Sequence, residues 1–562
     1  MRVVQRLISY CAFMMMALAC SRSANRSELT EQIKDLELNR GEITLCGAGA
    51  DQFGTVSFGT VCSEAVRADF NVATALLHSF EYAEAEKVFA RIIDKEPQCL
   101  MAYWGAAMSM FHPLWEPPSK SDLAKGSKIT KLARMVKADQ GESREGDFLE
   151  AIATIYDQSE TLDHRARLSK FEKASEAVFN KYPDDKEAAV FYALALRAAS
   201  DPADKTYAKQ RKAGAILEEL AKNNPNHPGI VHYIIHTYDY PELAERALVA
   251  ARSYAAVAPA SAHAQHMPSH IFTRLGLWDE ALQSNQNSIS SSICYAEKTG
   301  IKGHWDEELH GMDYLVYAYL QRGDDEAVKA QVAKLNNLGE IYPSNGKVAY
   351  SVAAIPARYA VERKDWKAAS MLELTTLNIP WEKCQWEKSN ITFARLLGFV
   401  HERKLDKAAA ALDTLRSVQK KLADAGDGYK ANLLMIQVKA SEGWIKLAEG
   451  KRADAIALMT AAADLEDKTE KHPVTPGEIV PARELLGDMY METGQYDKAL
   501  ESYKESLARH SNRFNSLYSA GLAAERLKQS DEANGYYSQL VAVAEPNSTR
   551  QELSKAKAYL AK

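Results

Sequence analysis

The chain has 562 residues, of which 46% are hydrophobic and 26% are charged, a composition typical of a folded soluble protein and unlike that of a disordered one. Its 69 Lys and Arg residues and 75 Asp and Glu residues are mixed along the chain and give a formal net charge of −6. No basic block is present, so we do not expect nucleic acid as a partner. The length exceeds what one compact core holds and predicts several domains or a repeat array.

The N-terminus has the features of an export signal over residues 1–19. Arg2 and Arg6 precede a short apolar run, and Ala17-Leu18-Ala19 matches a small-x-small cleavage site. Cys20 follows directly and resembles the lipid-accepting cysteine of bacterial lipoproteins, although the nearest leucine lies two residues before it instead of three. We therefore expect an exported protein, either periplasmic or attached to the outer membrane through a lipidated Cys20. Membrane attachment is expected by no other route, because no later apolar run approaches the ~18 residues that span a bilayer.

Cysteine spacing predicts a disulfide in the segment 20–64, which precedes the first helix. Cys46 and Cys62 flank a Gly-rich stretch, CGAGADQFGTVSFGTVC. Since an exported protein folds in an oxidising compartment, a Cys46–Cys62 bridge is expected there, against the alternative of two unrelated small residues.

Self-similarity at a period of about 34 residues points to the fold. Near the C-terminus, Gly487 and Gly521, Ala499 and Ala533, and Tyr503 and Tyr537 are each separated by one such period. This pattern resembles the tetratricopeptide repeat, a pair of antiparallel helices in which small residues let the helices approach closely. The resemblance implies an all-α, right-handed superhelical solenoid.

Related patterns extend the resemblance over most of the chain from about residue 65 to 545. We expect an N-terminal array over 65–225, a histidine-rich group of repeats over 226–345 and a C-terminal array over 346–562. The strings AYWGAAMS and HMPSHIF are similar to those of a family of exported bacterial tetratricopeptide proteins without an established biochemical role.

Histidines concentrate between residues 227 and 310, which hold eight of the chain's 14. His232 and His266 are separated by one repeat period, as are His236 and His270. Imidazole suits Zn²⁺ and Cu²⁺, and an i,i+4 pair places two rings on one helix face. The candidate ligands for a divalent transition metal, Zn, Cu or Fe, are His232, His236, His263, His266, His270 and His310. Pro268 cannot continue a helix from His266, so we expect it to be the first residue of a shortened helix.

The tetratricopeptide resemblance implies that certain first-helix positions of each repeat face a concave groove. The residues at those positions outside the metal set are His78, His112, Tyr238, Asp239, Asp313 and Tyr317. These side chains are therefore expected to contact a bound partner.

Two functions remain open from the sequence. The first is a scaffold that binds a protein or peptide segment in its groove, and the second is a metal-binding protein or metalloenzyme that uses the histidines. The competing interpretation of the histidines is groove polarity or ordinary hydrogen bonding. No established catalytic signature such as HExxH, GxSxG or a P-loop occurs, so the sequence does not decide whether the protein is an enzyme.

Overall fold

The computed structural model describes residues 28–44, 46, 53–114, 117–138 and 141–562. The predicted export signal at 1–19 and Cys20 lie outside these ranges. Within them, 26 α-helices follow a helical segment at 28–34 and are joined by turns and by longer irregular segments such as 371–384 and 468–481, and the only strands are two of two residues each. No helix in the described ranges combines the length and apolarity that crossing a bilayer requires.

The chain divides into two compact units. Among the described residues, unit 1 comprises 28–44, 53–114, 117–138, 141–200 and 209–233, and unit 2 comprises 46, 201–208 and 234–562. The boundary at 233/234 falls inside one helix, α9 (Pro228–Tyr238). The division into three repeat arrays remains a prediction from the sequence.

Unit 1 begins with a helical segment over residues 28–34, which the labelled helices follow. These are α1 (Glu64–His78), α2 (Tyr82–Lys95), α3 (Leu100–Ser109), α4 (Lys120–Ala138), α5 (Arg144–Tyr156), α6 (His164–Lys181), α7 (Lys186–Ala198) and α8 (Ala208–Ala221). Consecutive helices pack against each other, α1 on α2, α2 on α3, α5 on α6 and α6 on α7.

Unit 2 opens with a 3₁₀ turn (Ala244–Ala247) after α9. Its helices are then α10 (Leu248–Val257), α11 (Ala262–His266), α12 (Pro268–Leu275), α13 (Trp278–Thr299), α14 (Asp306–Arg322), α15 (Asp325–Asn336), α16 (Gly346–Glu362), α17 (Trp366–Ser370), α18 (Gln385–His401), α19 (Leu405–Asp424), α20 (Gly428–Ala448), α21 (Arg452–Asp467), α22 (Ala482–Glu492), α23 (Tyr496–Arg509), α24 (Phe514–Arg526), α25 (Ser530–Val543) and α26 (Gln551–Leu560). The strands β1 (His304–Trp305) and β2 (Ile341–Tyr342) pair in parallel, His304 with Ile341 and Trp305 with Tyr342.

Helices of unit 2 follow a repeat pattern of packing. From α18 to α26 each helix packs on the next, and α18, α20, α22, α24 and α26 also contact one another in turn. Each pair is tight at its small residue: a Cβ at Gly487 would lie 2.5 Å from the Tyr503 ring, and one at Gly521 would lie 2.6 Å from the Tyr537 ring. The predicted all-α fold of stacked helix pairs is confirmed.

The disulfide prediction is wrong. Cys46 bonds to Cys294 on α13, and Cys62 bonds to Cys99, which precedes α3. The Cα atoms are 5.9 Å and 5.1 Å apart in the two bridges, inside the range that a disulfide spans. The short spacing of Cys46 and Cys62 therefore did not identify the partners, because the packing of the helices brings more distant cysteines closer. Cys384, in contrast, is buried and takes no part in a disulfide.

Candidate metal centre

Three buried histidines of unit 2 meet where two short helices face a longer one. His266 is the last residue of α11, His270 lies in the first turn of α12, and His310 lies near the start of α14. The predicted helix start at Pro268 is confirmed. Met267 keeps helical dihedral angles, φ −53° and ψ −35°, so His266 and His270 still point to one side across the break.

The three rings lie within coordination distance of a shared point. Nε2 of His266 is 3.1 Å from Nε2 of His270, and the ring centroids of His266 and His310 are 4.3 Å apart. One nitrogen from each of the three rings lies within 4.8 Å of the other two. Two nitrogens bound to one tetrahedral Zn²⁺ at ~2.0–2.1 Å stand a little over 3 Å apart, so the observed spacing fits a common ion.

Hydrogen bonds on the far side of two rings determine which nitrogen carries the proton. Nδ1 of His270 is 2.9 Å from Oδ2 of Asp239, which only accepts. Nδ1 of His266 is 2.7 Å from Oδ1 of Asn285, whose amide nitrogen donates to the carbonyl of Ala281. Both Nδ1 atoms therefore donate, and both Nε2 atoms present lone pairs to each other at 3.1 Å.

Two further polar groups, the Tyr314 hydroxyl and the His310 ring, lie at the same point. The Tyr314 hydroxyl lies 3.3 Å from Nε2 of His270 and 3.2 Å from the carbonyl of Thr475, to which it can donate its single proton. His310 is 1% exposed, and neither of its ring nitrogens has a hydrogen-bond partner in the described part of the chain. The two facing Nε2 lone pairs and the unpartnered His310 ring thus form an arrangement that a cation would stabilise.

Burial keeps the three imidazoles in the form that binds metals. Desolvation lowers the pKa of His270 below its usual value, although the Asp239 carboxylate opposes the shift. Desolvation and the neighbouring rings hold the pKa of His266 and of His310 well below that value. All three rings are therefore neutral at pH 7, with a lone pair available.

Charged side chains surround the centre on the Asp239 side. Burial would raise the pKa of Asp239, but Lys471, Arg274 and His270 hold it well below its usual range. Arg274 Nε donates to Asp239 Oδ1 at 2.8 Å, and Lys471 Nζ donates to the Thr475 carbonyl at 2.8 Å. Asp239 therefore stays ionised and fixes the orientation of the His270 ring, as carboxylates behind metal-bound histidines do.

The remaining predicted ligands, His232, His236 and His263, are not part of this three-histidine cluster. His232 belongs to unit 1, where its Nδ1 is 2.6 Å from the carbonyl of His78. His236 and His263 belong to unit 2, with ring centroids 6.0 Å apart, and are not part of the three-histidine cluster. Histidines separated by one repeat period occupy equivalent positions in their repeats. Their side chains meet only where the helix turns that carry them face each other.

The predicted groove residues of unit 2 are buried, which differs from the expectation of an accessible groove surface. Tyr238, Asp313 and Tyr317 are each at most 2% exposed. Asp313 pairs with the buried Arg358, and the Tyr317 hydroxyl accepts from Arg513 at 3.1 Å. Asp239, the fourth of these residues, lies behind His270.

In unit 1, His78 takes part in a second buried cluster whose hydrogen bonds are complete. Glu187 accepts from Nε2 of His78 at 3.0 Å and from Nε2 of His227 at 2.8 Å. Nδ1 of His78 accepts from the Tyr233 hydroxyl, and Nδ1 of His227 accepts from the Ile230 amide. His112, also predicted to line the groove, is half-buried, with its ring 4.6 Å from that of Tyr82.

Sequence reasoning missed Asn285, Tyr314, Lys471 and Glu187. Tyr314 follows His310 by four residues, a spacing that places both on one helix face and so was available as a signal. Lys471 lies in the irregular segment between α21 and α22, and nothing in its sequence context links it to His270. Asn285 and Glu187 belong to other helices, and only the tertiary structure brings them to histidines.

Comparison with known proteins leaves the function open. No family model matches the chain, and no curated protein matches it. Among solved structures, human IFIT1 as a dimer with m7Gppp-AAAA is similar with a TM-score of 0.33 and 12% identity, over 83% of this chain and 94% of that one. A monomeric mutant of IFIT1 with Gppp-AAAA gives a TM-score of 0.32 and 12% identity, over 84% and 95%. At this level of similarity no ligand or function is transferred.

Proposed function

We propose that the protein binds one divalent transition metal ion through His266, His270 and His310. The observation that carries the proposal is the pair of Nε2 lone pairs facing each other at 3.1 Å, with both Nδ1 protons held by Asp239 and Asn285. A cation between them removes the repulsion and gives His310 a partner. Three neutral imidazoles suit Zn²⁺ best among abundant ions and leave a fourth position for another ligand.

The test is the metal content of tag-free protein beside two variants. We expect about one equivalent of Zn²⁺ in the wild type after purification without chelators, or after reconstitution of the apoprotein, and none in His310→Ala. His304→Gln, a change of a histidine outside the cluster, serves as the matched control and should keep the metal. Equal substoichiometric metal in all three proteins would reject the proposal.

A second candidate function, a scaffold for an extended peptide, is favoured by a cavity in unit 2. The cavity has a volume of about 50 Å³ and lies between α18, α20 and the segment before α22. Gln437 donates to Asn390 Oδ1 at 3.0 Å, and this bond leaves Asn390 Nδ2 and Gln437 Oε1 without a partner among the described residues. A free amide donor beside a free amide acceptor matches the N–H and C=O of a peptide group, and Trp386 and Phe393 supply apolar walls.

Phage-displayed extended peptides selected on the wild-type protein test this second function. Enriched peptides should bind about tenfold more weakly to an Asn390→Leu/Gln437→Met variant, which keeps side-chain size but removes the amide pair. The metal site is not altered in that variant, so its metal content serves as the folding control. Unchanged peptide affinity would reject the cavity as the peptide site.

We also propose that the protein is exported, with residues 1–19 removed. Two disulfides support this, because such bonds form and persist in oxidising compartments. The mass of the mature N-terminus tests the proposal and separates the two forms: plain cleavage leaves an unmodified Cys20, whereas lipidation adds a diacylglycerol group to it. A mature protein that still begins at Met1 would contradict export by this route.

A further inference from the structure

A wide polar cleft in unit 2 lies apart from the histidine centre. Its volume is about 590 Å³, and it is bounded by the C-terminal parts of α16, α18, α20 and α22, by the first turns of α24 and by the start of α26. None of its lining residues contacts His266, His270 or His310 in the hydrogen bonds and ring contacts of the described chain. The cleft therefore needs its own explanation.

Two of the carboxylates that line the cleft have no basic partner there. Each basic lining residue has an acidic partner: Arg550 and Arg363 lie 2.8 Å and 3.0 Å from Asp325, and Lys364 lies 2.7 Å from Asp488.

The two remaining carboxylates, Glu492 and Glu552, make no ion pair or hydrogen bond with any residue that the structure describes. Burial and the Asp488 carboxylate raise the pKa of Glu492, although Lys364 and Arg403 oppose the shift, so a cation bound beside Glu492 would favour its ionised form.

Aromatic rings line the same cleft. The rings of Trp366 and His401 stack at 3.9 Å, and the His401 ring is 4.8 Å from that of Trp444. Desolvation lowers the pKa of His401 to about 4, so this ring is neutral at pH 7 and adds no positive charge. Aromatic faces and free carboxylates together attract organic cations.

Two buried nitrogens in the cleft wall lack partners. Trp444 is 3% exposed, and its indole N–H makes no hydrogen bond in the described residues. The same holds for Nε2 of His401. An unpaired buried donor is unfavourable, so a ligand that brings an acceptor to the Trp444 N–H removes this cost on binding. The ligand therefore needs a hydrogen-bond acceptor as well as a positive charge.

We propose that this cleft binds a small organic ammonium ligand that carries a hydroxyl or carbonyl acceptor. The ammonium group pairs with Glu492 and Glu552, and the acceptor takes the Trp444 N–H. Amino sugars and lysine-like amines both carry an ammonium group and such an acceptor. Glucosamine is the probe for the first class of ligand, and lysinamide is the probe for the second. N-acetylglucosamine, which has no charge, and glucose are the neutral controls.

Isothermal titration of the full chain with each probe tests the proposal. We expect at least one amine to bind, with about tenfold loss for Glu492→Gln/Glu552→Gln and a comparable loss for Trp444→Phe, which keeps an aromatic ring but removes the N–H. Binding should also weaken at higher salt, because exposed charges contribute. Glu297→Gln, a change of an exposed carboxylate on α13, is the matched control and should bind like the wild type.

Three results would overturn the proposal. They are no binding of either amine to a wild type with normal thermal unfolding, equal binding of glucosamine and N-acetylglucosamine, and equal binding by the double glutamine variant. Loss of metal from the histidine centre would leave this test unaffected, since no cleft residue is a candidate ligand.

Discussion

Two of the buried histidine clusters in this protein, one within each unit, differ in how their protons are placed. In unit 1, Glu187 accepts from both His78 and His227, and every ring nitrogen of that pair has a partner. In unit 2, acceptors converge and His310 has no partner in the described residues. Proximity of imidazoles is therefore a poor indicator of a metal site, and the direction of each hydrogen bond separates a structural cluster from a candidate centre.

This contrast predicts opposite effects of the same substitution on the metal-free protein. His310→Leu removes two unpaired polar atoms and should leave the free energy of unfolding unchanged or raise it by about 1 kcal/mol. His227→Leu removes a donor from the buried Glu187 and should lower the free energy by about 3 kcal/mol. Denaturant unfolding of the two apoprotein variants measures both, and equal destabilisation would contradict the assignment.

The metal affinity of the histidine centre should fall less at acid pH than the affinity of an exposed histidine site. Protons compete with a metal only below the pKa of the ligand, and burial lowers the pKa of His266, His270 and His310 below 6.5. The affinity should therefore change little as pH falls from 7.5 to 6.5 and decline only at lower pH. Competition titrations with a chromogenic chelator over this range give the profile, and a decline that is already steep above pH 6.5 would contradict it.

At the scale of elements, the helices were predictable and their contacts only partly so. Repeat spacing located the helix pairs around Gly487 and Gly521, and Pro268 marked a helix start, because these signals are local in sequence. The partners of His266 and His270 were not predictable, since Asn285 and Asp239 lie on other elements and only the tertiary structure brings them close. The disulfides failed for the same reason: Cys46 pairs with Cys294, 248 residues away.

The tight helix pairs give a matched test of the repeat packing. Gly521→Ala places a Cβ 2.6 Å from the buried Tyr537 ring and should lower the free energy of unfolding by about 1–3 kcal/mol. Gly535→Ala, on α25 with open space around its Cβ, should raise the free energy by about 0.5–1 kcal/mol through helix propensity alone. Thermal or chemical unfolding compares the two, and a stabilising Gly521→Ala would mean that the helices are not packed as described.

At the scale of the whole molecule, the disulfides limit what the unfolded chain can explore. In the chain-entropy description, a loop of the length between Cys62 and Cys99 stabilises a fold by about 3–4 kcal/mol. The loop closed by Cys46 and Cys294 is much longer and spans residues of both units in sequence. Such bridges persist where thiols are oxidised, which connects the covalent structure with the proposed export.

The last prediction concerns the disulfide pairing, because the structure and the cysteine spacing favour different pairs. Peptide mapping of protein purified and digested without reductant should give the Cys46–Cys294 and Cys62–Cys99 peptides, with Cys384 alkylated only after denaturation because its side chain is buried. A Cys62→Ser/Cys99→Ser variant should have a free energy of unfolding about 3–4 kcal/mol lower than the wild type, and should therefore unfold at a lower denaturant concentration. A Cys46–Cys62 peptide as the main product would restore the pairing favoured by spacing and would contradict the positions of α1, α3 and α13.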